Sequence, residues 1–165
     1  MKKLTQFFLL PAFALAFSIS AAQADTLSKA EAQELVQPFY DMLSRKATAG
    51  EASASLHADW ISYYSADGYK TLDQTMGFLT GPLVQMVPDL NWEIKSVSVT
   101  TDNEIVVRGE ATGTPVGKAF FGQPVSGKSF KIMSIDIHTV KDGKISKSYH
   151  IEDWAGALKQ LAGKS

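Results

Sequence analysis

Apolar residues recur at helical spacing in the first half of the chain and alternate in the second, with the period changing near Pro88. Ser28-Lys29-Ala30-Glu31 is a capping box, in which a serine and a glutamate three positions on satisfy each other's free amides. Ala32, Leu35, Val36, Phe39, Tyr40 and Leu43 follow on one face and predict a helix. Pro38 should kink or break it, because proline lacks an amide proton and crowds the preceding turn. Residues 50–57 read as a short second helix and 60–64 as a strand ending in a turn at Ala66-Asp67-Gly68. Thr71-Leu72-Asp73-Gln74 is a second capping box, opening a helix with Leu72, Met76, Leu79, Leu83 and Met86 that Gly81-Pro82 should interrupt.

Beyond Pro88, Leu90, Trp92 and Ile94 alternate, whereas Val97 and Val99 fall on the opposite parity. That switch predicts a bulge near Lys95-Ser96. Thr101-Asp102-Asn103 is a turn, Ile105, Val107 and Gly109 begin the next strand, and residues 115–126 form a Gly/Pro-rich loop around Phe120-Phe121. Residues 129–154 read as two strands joined at Asp142-Gly143. A two-residue loop would set Ile135 and Ile137 over Ser146, Ser148 and His150. A three-residue bulged loop would pair Val140 with Lys144 and set Met133, Ile135 and Ile137 with Ile145, Tyr149 and Ile151. The apolar match selects the bulged register and predicts that this apolar set is buried. Ser134, Asp136, His138, Ser148, His150 and Glu152 then share the other face, with His150 across from Ser134 and diagonal to Asp136. A terminal helix over 155–161 completes the chain. Helices followed by an antiparallel meander make an α+β domain, and a long helix laid across a curved antiparallel sheet would enclose a cavity.

The first 24 residues read as a secretory signal: Lys2 and Lys3, an apolar run from Phe7 to Ile19, and the small-x-small site Ala22-Gln23-Ala24. Cleavage after Ala24 would leave one domain, residues 25–165, in the periplasm or outside the cell, with no stable membrane anchor. The 16 basic residues then fall to 14 against 17 acidic, which is no footprint for nucleic acid or anionic lipid. The absence of cysteine excludes disulfides, thiolate metal sites and a cysteine nucleophile.

Gly122 to Ser129 matches the phosphate-loop pattern G-x-x-x-x-G-K-S, but a predicted strand follows where that loop needs a helix. Asp136, His138, His150 and Glu152 suggest a divalent metal, yet His138 and His150 stand too far apart along the hairpin to share an ion, so no metal site is expected. Trp60, Trp92, Phe120 and Phe121 are either core or the walls of a ligand pocket. His57, beside Ala58-Asp59, reads as a surface residue. The chemical candidate is Asp136 with His150, since a histidine near a carboxylate is common machinery for proton transfer close to neutral pH.

Phe39-Tyr40, Pro88-Asp89-Leu90, Val106-Val107-Arg108-Gly109 with Thr112-Gly113, Gly122-Gln123-Pro124, Asp142-Gly143-Lys144-Ile145 and Gln160-Leu161 together resemble the SnoaL-like polyketide cyclases and their ester cyclase relatives, within the nuclear transport factor 2-like superfamily. The resemblance implies a cone-shaped α+β fold, commonly a homodimer, with an apolar cavity for a small apolar or carbonyl-containing ligand and no cofactor. Aligned through Asp142-Gly143-Lys144-Ile145, the family's catalytic aspartate falls on His150 and its histidine on Asp136; its helper amides fall on Ser134 and Ser62. The implied activity is proton transfer next to a carbonyl, with His150 as base, Asp136 orienting it and Ser134 or Ser62 donating to the oxyanion. The alternatives are a non-catalytic carrier or sensor using the same cavity, and a dimeric accessory domain.

Overall fold

The computed structural model describes residues 26–163; the expected signal segment therefore lies outside the described residues. Helix α1 (Lys29–Leu43) starts at the expected capping box, with Ser28 Oγ accepting from the Glu31 amide. Of the kink or break expected at Pro38 there is no break: the helix continues through it. Val36 and Tyr40 are buried on either side of the proline, so packing holds both halves in one helix despite the missing amide. Helix α2 (Ala49–Ala54) ends earlier than expected, and strand β1 (Leu56–Tyr63) takes up His57.

Strand β2 (Tyr69–Thr71), which the sequence did not suggest, pairs with the end of β1 and leads directly into α3 (Leu72–Thr80) at its Thr71/Gln74 capping box. Gly81 then separates α3 from α4 (Pro82–Met86), where Pro82 takes the first helical position. Strands β3 (Asn91–Val99) and β4 (Glu104–Gly113) pair with Lys95 as an extra residue between Ile94 and Ser96, at the expected bulge. The loop that follows holds a small ribbon, β5 (Ala119–Phe120) and β6 (Gln123–Pro124). The phosphate-loop look-alike spans β6 and its flanks and runs into strand β7 (Phe130–Lys141), so no helix is there to hold phosphate. Strand β8 (Lys144–Glu152) and helix α5 (Trp154–Leu161) end the domain.

The main sheet has the order β2-β1-β8-β7-β4-β3, antiparallel except where β1 lies parallel to β8. This is the expected α+β architecture, a curved antiparallel-dominated sheet with helices against one face. Among the described residues no helix is long and apolar enough to cross a membrane.

The β7–β8 hairpin combines the two registers weighed from the sequence. Its turn is the two-residue form, with Asp142 and Gly143 both at positive φ and Lys141 opposite Lys144. Ser146 is then an extra residue on β8, so beyond it the pairing shifts to Thr139–Lys147, Ile137–Tyr149 and Ile135–Ile151. Asp136 therefore faces His150 directly, where the sequence placed Ser134 opposite it. Ile135, Ile137, Tyr149 and Ile151 do share a face, but the expectation that they are buried is wrong. Ile151 is 75% exposed, and Met133, Ile135 and Tyr149 are exposed as well, on the outer surface of the sheet. The helices cover the opposite face, so the polar set of the hairpin points inward. Ile145 lies on the turn side of the bulge and is buried in the core.

Candidate functional site

The inward-facing row on β7 is Ser134, Asp136 and His138, all buried. Across it on β8 lie Glu152, His150 and Ser148. A buried polar row is tolerated when its groups satisfy one another, and here they do so in two connected systems. Trp60 Nε1 donates to Ser148 Oγ at 2.9 Å, Ser148 Oγ meets His138 Nδ1 at 2.8 Å, and His138 Nε2 meets Tyr40 Oη at 3.2 Å. Tyr40 in turn hydrogen-bonds the Asp136 carboxylate. An ionised carboxylate only accepts, so Tyr40 donates to Asp136, and its oxygen accepts from His138 Nε2–H. His138 Nδ1 is then left to accept from Ser148. Burial first, and the charge of His150 second, push the His138 pKa down to about 3, which keeps it neutral for this chain.

The second system centres on His150. Its Nδ1 lies 2.6 Å from Glu152 Oε1, and its Nε2 lies 3.1 Å from Ser62 Oγ. Trp154 Nε1 donates to the other Glu152 oxygen. Burial alone would lower the His150 pKa, but the bond to Glu152 and the charges of Glu152 and Asp136 outweigh it and hold the pKa above the ordinary value. Asp136 behaves oppositely to most aspartates. Burial, then the negative charge of Glu152, raise its pKa to about 6 against the pull of His150, Tyr40 and Ser134. Ser134 Oγ donates to Asp136 Oδ2 at 3.2 Å and accepts from Trp92 Nε1. Gly109 makes this crossing possible, because a Cβ there would come within 2.5 Å of Ser134 Oγ.

A cavity of about 340 Å³ opens over this row. Asp136, His150, Glu152 and Ser62 supply its reactive wall. Phe39, Leu43, Leu79, Leu83, Trp92 and Trp154 supply most of the apolar remainder. Phe121 reaches the cavity from the turn of the small ribbon, half-exposed and at φ 44°, a conformation that carries strain for a bulky residue. It packs on Phe120 and Trp154.

The structure thus places Asp136, His150, Ser62 and Phe121 on the cavity, but not four other candidates. Trp60 is core and anchors Ser148. Phe120 is core, stacked on Phe130. His138 sits behind Asp136 in the hydrogen-bond chain, and Ser134 supports Asp136 without lining the cavity. His57 lies on β1, 3.9 Å from Asp59, and does not line the cavity. Asp136 does not orient His150; Glu152 does, two residues along the same strand face. That spacing was visible in the sequence, whereas Tyr40 was hidden among helix residues counted as apolar. Ligand-capable atoms of Asp136, His150 and Glu152 lie within 4.8 Å of one another, so three of the four residues weighed from the sequence come together and His138 does not join them. Within this group His150 Nδ1 and Glu152 Oε1 are already bonded to each other.

The sequence profile of the SnoaL-like polyketide cyclases matches residues 34–161, and the chain belongs to that family. Among curated proteins none matches it. The fold is similar to a proposed SnoaL-like polyketide cyclase of Jannaschia sp. CCS1 (TM-score 0.70, 18% identity, covering 87% of this chain and 99% of that one). It is similar to TsrD of Streptomyces laurentii (0.69, 22%, 84% and 99%). It is also similar to AclR, a proposed hydroxylase of Streptomyces galilaeus (0.67, 20%, 82% and 83%). Family and fold define a small-molecule binding or catalytic domain. Because cyclases and a hydroxylase share this fold, the chemistry must be argued from the cavity itself.

Proposed function

We propose that the cavity catalyses proton transfer next to a carbonyl of an apolar ligand, with Asp136 as base and His150 as electrophile. The observation that carries this reading is the pairing of a buried carboxylate whose pKa is raised to about 6 with a histidine, directly opposite it, whose pKa Glu152 raises above the ordinary value. Groups whose environments push their pKa values apart divide the acid and base roles between them. These roles reverse those expected from the sequence, because Glu152 favours the protonated form of His150, and a protonated imidazole donates a proton rather than accepting one. In the step, the Asp136 carboxylate takes the proton from the carbon beside the carbonyl. The C–H electron pair becomes the enolate double bond, and the carbonyl oxygen gains the charge. His150 Nε2–H, protonated, donates to Ser62 Oγ, which leaves the Ser62 hydroxyl proton to donate to that oxygen beside the imidazolium charge. Return of a proton to the same or another carbon completes an isomerisation; attack of the enolate on a second carbonyl completes an aldol closure.

The test is exchange of the methyl protons of 2-acetylnaphthalene in D2O, followed by proton NMR. Wild-type protein should accelerate exchange, and Asp136→Asn should lower the rate by about 10²–10⁴. No exchange above buffer, or an unchanged rate in Asp136→Asn, overturns the assignment. A carrier would instead bind the ketone without exchange.

The same reading includes export of residues 25–165 to the periplasm or beyond, supported by the leader pattern at 1–24. It also includes a homodimer formed through the outer sheet face. Its support is the exposed apolar set Met133, Ile135, Tyr149 and Ile151, with Tyr63 stacked on Tyr149 at 4.8 Å, since monomers rarely leave such a patch open. Ile151→Glu should convert a dimer to monomer in sedimentation velocity, and a wild-type monomer at micromolar concentration refutes it.

A further inference from the structure

The polar groups that the proton-transfer reading uses lie on β1, β7 and β8. A separate pair lines the cavity from the β2–α3 segment: Lys70, directly across from Ser62 in the sheet, and Thr75 on α3. Thr75 is 7% exposed, and its hydroxyl is the buried side-chain polar atom with no hydrogen-bond partner among the described residues. A buried hydroxyl without a partner is costly, and a mid-helix threonine facing an apolar cavity could be valine at no loss of packing. Its place there points to a bond made only when something enters the cavity. Lys70 carries its ammonium over the Tyr64 ring at 4.1 Å, and among the described residues no carboxylate lies in ion-pair distance of it. Its charge is near enough to act on His150. A half-buried cation with only an aromatic face for company is a ready counter-charge for an anion.

We propose that Lys70 and Thr75 form a second polar subsite that holds a ligand carboxylate, so that the cavity selects a flat apolar acid bearing its reactive carbonyl elsewhere. Lys70 and Thr75 reach the cavity from the β2–α3 segment, and Asp136 and His150 reach it from the β7–β8 hairpin. Asp136, His150 and Ser62 take the carbonyl end on the hairpin side, the aromatic and leucine walls take the body, and the β2–α3 segment takes the acid. A carboxylate accepts from a hydroxyl and from an ammonium alike, and charge-assisted bonds are about twice as strong as neutral ones. The subsite depends on the cavity being the ligand site, as the proton-transfer reading also requires, but not on any proton being moved.

The probes are 6-acetyl-2-naphthoate and 2-acetylnaphthalene, which differ only in the carboxylate, with binding read from tryptophan fluorescence. The acid should bind wild-type protein about tenfold more tightly than the ketone. Lys70→Met should abolish that difference. Thr75→Val should weaken the acid about fivefold while leaving the unligated protein as stable or more stable, because the unpaired hydroxyl is gone. Equal affinities in the wild type, or an acid preference untouched by both substitutions, overturns the subsite. So does a Thr75→Val protein whose unfolding midpoint falls, which would give the hydroxyl a structural role. If the ketone binds and exchanges its protons without an acid preference, the subsite fails while proton transfer stands. If neither probe binds, both fall together.

Discussion

Replacing Asp136 with asparagine should make the protein more stable at neutral pH and leave it unchanged in acid. The side chains are nearly isosteric, so the substitution removes a charge rather than a volume. Asp136 is 6% exposed, and its pKa is raised from 3.8 to about 6, mainly by burial and then by Glu152. A group whose folded-state pKa exceeds its unfolded value contributes stability in full below the unfolded pKa and loses it as pH rises through the folded one. The carboxyl is therefore harmless near pH 4, and its ionisation weakens the fold across the range between about pH 4 and 7. A shift of roughly two units corresponds to about 3 kcal/mol, since each unit is about 1.4 kcal/mol. Part of that is offset in the variant: asparagine no longer attracts protonated His150, and its amide needs an acceptor. A gain of about 1–3 kcal/mol above pH 7, fading toward zero by pH 4, is the expected result. Urea unfolding of both proteins at half-unit pH steps, followed by circular dichroism, measures it as a difference curve that cancels the titrating groups not coupled to Asp136. An asparagine variant less stable than wild type at pH 7.5, or a difference independent of pH, refutes the claim that Asp136 is a destabilised buried anion. Together with the loss of proton exchange, the gain would mark a carboxylate kept for function at the expense of stability.

Glu152→Gln should move the NMR titration of His150 downward, because the raised His150 pKa depends on that bond and charge; an unchanged midpoint refutes the ion pair. His138 should be the Nε2–H tautomer and stay neutral at pH 5, which ¹⁵N chemical shifts of its ring report directly. Ile132→Ala, at a buried position on β7, should cost about 2–5 kcal/mol in urea unfolding, whereas Ile151→Ala, on the outer face, should cost far less in the monomer; equal costs refute the inward polar face. Intact mass of the exported protein should begin at Asp25, and recovery of the full-length chain in the membrane fraction refutes cleavage after Ala24.

The local signals along the chain settled most of the elements. Both capping boxes, at Ser28/Glu31 and Thr71/Gln74, start helices where the sequence placed them. The parity switch at Lys95 is a bulge, and Gly81-Pro82 divides two helices. These features depend on residues a few positions apart, so a linear reading reaches them. Asp136 and His150 could be paired in sequence because they share one hairpin, and Glu152 lay within the same reach. What the chain could not state is which side of the hairpin the helices would cover. Alternation gives two faces and normally marks the apolar one as inside. Here α1 and α3 lie over the polar face, and the bond chain from Trp60 to Asp136 makes its burial tolerable by drawing donors and acceptors from β1, α1, β7 and β8. Residues as distant as Tyr40 and His138 meet only once the sheet has curved around the helix. The same packing raises the Asp136 pKa, favours the protonated form of His150, and brings Lys70, on a strand too short to announce itself, and Thr75, on the helix that follows, to the cavity. Element identity is a short-range property of the sequence; burial, and the proton affinities that burial sets, belong to the assembled fold.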